Sequence, residues 1–301
     1  MATMATDTLK QLAFFAIGER LRAITGSAKS SLEDFAVPAG DPGLFGPTSM
    51  VWRVHAHFTA MMVGGLSSLI VQALHPRALA AVWDHSQFRD KLKDRLSRTA
   101  FFVAATTYGS QAFAMKAIQR VNAIHSRITG TDLQGRPYVA NEPALLNWVH
   151  LVEATSFLTA HQHLAKTPLT PTEADQYMAE MAVLGHLLGG VDLPSTVAAA
   201  EGQMRGYQAE LQFDARAQEV VGLIASYPTD VLDKPFMGLV LESSFDLMPD
   251  WVLQLLGRSA ACALPVQARR LALQLASEPL QWMLDEQGVA AVARRRVLWA
   301  A

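Results

Sequence analysis

Apolar residues recur at helical spacing along most of the chain. In QRVNAIHSRITG (Gln119 to Gly130), Val121, Ile124, His125 and Ile128 follow the i, i+3, i+4, i+7 pattern and share one helix face. Period-2 alternation is never sustained, and no Asn-Gly or Asp-Gly joins two apolar runs, so strands are not expected. The pattern predicts helices at about 7–25, 49–73, 76–82, 90–128, 143–166, 171–188, 194–213, 215–226, 236–244, 249–255, 262–278 and 282–299. Tyr108-Gly109-Ser110 is a weak point that divides or kinks the 90–128 segment. PAGDPGLFGPTS (Pro38 to Ser49) is a loop ending in a Thr-Ser cap. TGTDLQGRPYVANEP (Thr129 to Pro143) is a polar excursion with Asn141 as candidate cap and Pro143 in the first turn. Thr170, Pro171 and Glu173 spell a capping box. With no linker-like stretch and no internal repeat, the expected fold class is all-α, a single multi-helix domain over residues 1–301.

Composition sharpens this picture by exclusion. Half of the residues are hydrophobic and only 17% are charged, ample material for a large core. A net charge of −2 without basic clusters argues against nucleic acid or an anionic membrane as partner. Cys262 is the one cysteine, which rules out an intrachain disulfide and thiolate zinc or iron–sulfur cages. The N-terminus has no basic region followed by an uninterrupted apolar block, so the expected location is cytoplasmic. Phe58 to Leu74 carries no formal charge but includes Thr, Gln, two Ser and two Gly; it reads as a buried core helix without stable membrane insertion.

Histidine is the main chemical lead, with nine in the chain. His55/His57 and His161/His163 have His-x-His spacing, but on a helix such rings diverge by about 200° and do not share a metal. His-Glu-x-x-His and Gly-x-Ser-x-Gly are both absent, which leaves a zinc or serine hydrolase without support. His125 falls on an apolar stripe, and His150 in LLNWVHLVEATSFL also faces inward, between Leu146 and Phe157. Two inward histidines on separate helices suit either core hydrogen bonds or a haem pocket between helices, and spacing leaves both open.

Three ordered blocks carry a resemblance: MVWRVHAHFTAMMVGGLSSLIVQALHPRALAAVWDHSQF, then RLSRT, then RVNAIHSRITGTDLQGRPYVANEPALLNWVHLVEATSFL. Together, from about Gly43 to His163, they resemble the family of MpaB oxygenases and latex-clearing rubber oxygenases. The resemblance implies a globin-like, haem-b-binding helical core. It also implies use of O2 on an apolar, unsaturated, isoprenoid-like small molecule. His125 would be the proximal iron ligand, and Arg95 and Thr99 would lie on the distal side as catalytic candidates. Arg98 stands where the rubber oxygenases carry a lysine, and a guanidinium is a poor iron ligand. His75, His85 and His150 are further pocket candidates. Asp84 is near the expected distal acid in sequence without matching it. Two rival readings are a haem-binding sensor or carrier without turnover, and a haem-free helical binder of hydrophobic ligands.

Overall fold

The computed structural model describes residues 32–227, 230, 231 and 233–298; the expected helix at 7–25 lies outside them. Ser49 accepts the Trp52 amide and opens α1 (Met50–His55), as its sequence context predicts. The expected 49–73 helix then breaks, because the His57 ring takes the Ala60 N–H at 3.2 Å and caps a new helix, α2 (Phe58–Gln72). His75 does the same for α3 (Pro76–His85), which runs three residues beyond its expected end. The 90–128 segment divides at Gly109 into α4 (Leu92–Tyr108) and α5 (Gln111–His125), the second capped by Ser110.

The excursion after α5 holds a short antiparallel hairpin that alternation did not reveal, β1 (Thr129–Thr131) and β2 (Pro137–Val139). Three-residue strands are too short to show a period. Its turn is instead tied by Asp132, whose carboxylate accepts the Gln134 and Arg136 amides at 2.9 Å each. Next comes α6 (Pro143–Leu164), with Glu142 rather than Asn141 at its N-cap and no side-chain cap bond. The Thr170/Glu173 capping box is present at the start of α7 (Pro171–Leu187). The remaining helices are α8 (Val197–Tyr207), α9 (Ala215–Ala225), α10 (Lys234–Asp246), α11 (Asp250–Leu255), α12 (Ala263–Gln287) and α13 (Val289–Leu298). The expected break near 279 does not occur. α12 continues through Pro279 and stops before Gly288, where a Cβ would lie 2.5 Å from the Leu284 carbonyl.

α6 organises the core, because it is apolar on opposite faces. Trp148 and Val152 pack with Ile70 of α2, Leu74 just beyond it and Val252 of α11. Leu151, Ala154 and Phe157 pack on the other side with Ile118 of α5 and Met181 of α7. The apolar α2 is a core helix, with Ala60, Val63 and Ile70 fully buried. Among the described residues no single helix is long and apolar enough to cross a membrane; α2 and α3 together have the length and composition but meet at 102°. Near the end of the described chain, Arg296 is 2% exposed and donates to the carbonyls of Phe35, Asp41, Tyr108 and Gly109, closing α13 onto the α4–α5 junction.

α2 and α6 touch at Gly64, where a Cβ would lie 2.8 Å from the Ser156 carbonyl and 3.0 Å from the Phe157 Cα. Gly64→Ala must push two backbones apart and is expected to lower stability by about 1–3 kcal/mol in urea unfolding. Gly65→Ala, whose Cβ would meet only Phe157 at 3.8 Å, should be neutral or gain up to about 1 kcal/mol through helix propensity.

Candidate functional site

The first turn of α4 carries Arg95 into the protein, where its Nη1 donates to Ser86 Oγ at 3.3 Å just beyond the end of α3. Arg95 forms part of the wall of a solvent-open cavity with about 70 Å³ of space for solvent. Leu69 of α2, Leu79 of α3, Phe88, Leu92 of α4, Val149 of α6 and Leu223 of α9 supply much of the apolar lining. The polar residues lining it are Arg95 and Gln72. Both protons of the Gln72 amide are already directed elsewhere, to Ser68 Oγ at 2.6 Å and the Val149 carbonyl at 3.3 Å. Arg95 is therefore the free donor of an otherwise aliphatic chamber.

His125 ends α5. Burial lowers its pKa, and the nearby positive charge of Arg95 lowers it further, so the ring is neutral at pH 7. Its Nδ1 is buried without a hydrogen-bond partner. The structure thus sets Arg95 near enough for its charge to act on His125, although the two lie on different helices, in different blocks of sequence. The stripe that suggested an inward face is only partly so: the helix stops at His125, and Ile124 is 49% exposed. Ile128 reaches the core from beyond the helix.

The other sequence candidates are placed differently. Thr99 is exposed, and its hydroxyl donates to the Arg95 carbonyl of its own helix at 3.2 Å. Arg98 is also exposed. His75 is 1% exposed; besides capping α3, it puts Nε2 3.6 Å from the Glu210 carboxylate, between Trp148 and Tyr207. His150 packs against Gly185 of α7, where a Cβ would come within 2.7 Å of its ring, and it hydrogen-bonds to the Met181 backbone. His85 lies with its Nε2 3.2 Å from the Thr129 carbonyl. Asp84 accepts from Tyr138 Oη at 2.9 Å and lies 3.5 Å from Arg216, so it is not in the cavity wall.

A second polar group escaped the sequence reading. His55 places Nδ1 2.8 Å from Thr107 Oγ1 and Nε2 3.3 Å from Tyr177 Oη. His161 is buried with both ring nitrogens unpartnered, its ring 6.2 Å from that of His57. Glu153 of α6 is held near Tyr177, and burial pushes its pKa up to about 7. A signal for Glu153 did exist: it falls on the stripe Leu146, His150, Glu153, Phe157, where a carboxylate is out of place. His55 carried no such signal, since its partners come from α4 and α7.

An all-helical protein with an apolar chamber, one cation in its wall and a neutral imidazole beside that cation is built to bind small apolar molecules. Residues 52–277 match the family described as "ER-bound oxygenase mpaB/B'/Rubber oxygenase, catalytic domain". The chain belongs to this family and is an oxygenase, an oxidoreductase whose reactants are O2 and a substrate. No curated protein and no solved structure matches it. Among the described residues no group of three or more His, Cys, Asp or Glu side chains is placed to hold a metal ion.

The buried titratable groups predict opposing pH effects. Burial lowers the pKa of His55 to about 3 and of His150 and His161 to about 4, from 6.5. These rings gain protons on unfolding, so their contribution is complete above pH 6.5 and is lost as pH falls toward 4. Glu153, raised from 4.5 to about 7, does the reverse: its contribution is complete below pH 4.5 and is lost as pH rises through 7. Urea unfolding at a series of pH values should show stability falling below pH 6.5. Glu153→Gln should gain about 1–3 kcal/mol at pH 8 and nothing at pH 4.

Proposed function

We propose that the chain is a haem-b-dependent oxygenase acting on an apolar, unsaturated small molecule that enters the Arg95 cavity. The observation that carries this reading is His125, a neutral imidazole with a buried, unpartnered ring nitrogen, held beside the cation of that cavity. The residues fit such a group: a haem needs one protein ligand, so a three-residue metal cage is not required. When bound, haem b supplies the capacity to bind and activate dioxygen.

The chain's own residues perform the remaining tasks. Burial and the Arg95 charge keep the proton off His125, which leaves a nitrogen lone pair free to act as ligand. The Leu69, Leu79, Phe88 and Leu223 side chains exclude water and accept an apolar substrate. Arg95 gives the cavity wall a fixed positive charge. Among the described residues no carboxylate lines the cavity, so Glu153, whose pKa is raised to about 7, is the acid available to hold and release a proton elsewhere in the interior. Exposed Thr99 and Arg98 serve this reading less well than Arg95, and His75 and His150 support it from the surrounding packing.

The protein purified from haem-sufficient cells should show a Soret band and a pyridine haemochromogen of b type. His125→Ala should lose most of that band while keeping its far-UV circular dichroism. A full band in that variant overturns the ligation, and absence of any band in the parent protein overturns the cofactor. Oxygen uptake with an alkene distinguishes turnover from carriage.

A further inference from the structure

Two arginines of this protein are treated in opposite ways. Arg296 donates to four backbone carbonyls, the arrangement expected of a guanidinium whose role is to hold chain segments together. Arg95 is only partly buried, and its one hydrogen bond among the described residues is to Ser86 Oγ. Among the described residues no carboxylate pairs with it, and the charge acting on it most directly is another cation, Arg98. A guanidinium withdrawn from water without an anion is unfavourable, and a second cation nearby makes it more so.

The surroundings define what would relieve this. Apart from Gln72, whose amide protons are already engaged, the cavity beside Arg95 is lined by aliphatic and aromatic carbon. Its occupant must be apolar along most of its length and anionic at one end. A carboxylate matches the planar fork of the guanidinium with two parallel hydrogen bonds, whereas an ester or alcohol offers no charge.

We infer that the Arg95 cavity binds an amphipathic monocarboxylate, an unsaturated fatty-acid-like molecule whose carboxylate pairs with Arg95 and whose hydrocarbon tail lies along Leu69, Leu79, Phe88 and Leu223. This rests on the oxygenase reading for its identity as substrate, and it names the substrate's head group. A head group held at a fixed point sets how far along the tail the reacting double bond can lie. Selectivity is then counted in carbons from the carboxylate.

Calorimetric titration of the purified full-length protein, as isolated and with its haem content recorded, tests the assignment with oleate, methyl oleate and oleyl alcohol below their aggregation concentrations. Oleate should bind about tenfold or more tightly than the ester or the alcohol. Arg95→Gln should abolish that preference, and Arg95→Lys should keep part of it. Leu223→Trp, which fills the apolar part of the cavity, should weaken acid and ester alike. Equal affinity of acid and ester in the parent protein overturns the inference, and so does an acid preference that survives Arg95→Gln. If Arg95→Gln lowers haem content and the parent shows no acid preference, the guanidinium serves the cofactor's carboxylates and the inference is also overturned. Absence of a Soret band, with the oleate preference intact, overturns the haem reading and leaves this one standing.

Discussion

The close approach of α2 and α6 at Gly64 is the constraint on which the rest of the architecture depends. With a hydrogen in place of a side chain, the α2 backbone lies against the Ser156 carbonyl and Phe157. The two helices then stay in register to the far end of α2. There Trp148 Nε1 donates to the Gln72 carbonyl at 3.3 Å, and the Gln72 side chain reaches the Val149 carbonyl. Leu69, Gln72 and Val149 form one wall of the cavity as a direct consequence. The opposite wall comes from α3 and α4, and the contact between Arg95 and Ser86 ties those two together.

Burial sets the electrostatics of the interior. It removes charge from His55, His125, His150 and His161, and it favours the protonated form of Glu153. Arg95 cannot shed its proton in the same way, because a guanidinium keeps its charge at any pH compatible with folding. One permanent cation therefore remains in a region of neutral polar groups and hydrocarbon, and it acts on His125, whose Nδ1 is buried without a hydrogen-bond partner. That asymmetry, more than any single contact, is why the proposed site is placed at Arg95 and His125.

Much of the helical architecture was legible along the chain, and local interactions explain why. Ser49, Ser110 and Thr170 bond to amides three residues onward, and Gly109 ends α4 within its own turn, so their consequences can be read from neighbours. The misread elements were those where a local rule met a tertiary one. Pro279 sits inside a helix whose buried Leu273, Ser277 and Met283 span the position where it was expected to break. His57 and His75 act as caps although histidine is not among the favoured cap residues, since each ring is held in place by buried partners.

The candidate site shows the same division. The sequence by itself determined the all-helical fold, several caps, and, through an ordered set of motifs, membership of an oxygenase family with His125 and Arg95 as residues of interest. Only the tertiary structure decided that Arg95 acts on His125, that Thr99 turns outward, and that His55 and Glu153 both face Tyr177. Helical periodicity reports which face of one helix is apolar; it carries no information about which other helix that face meets. The cavity belongs to that second kind of information, because its lining is assembled from α2, α3, α4, α6 and α9, segments far apart in the chain.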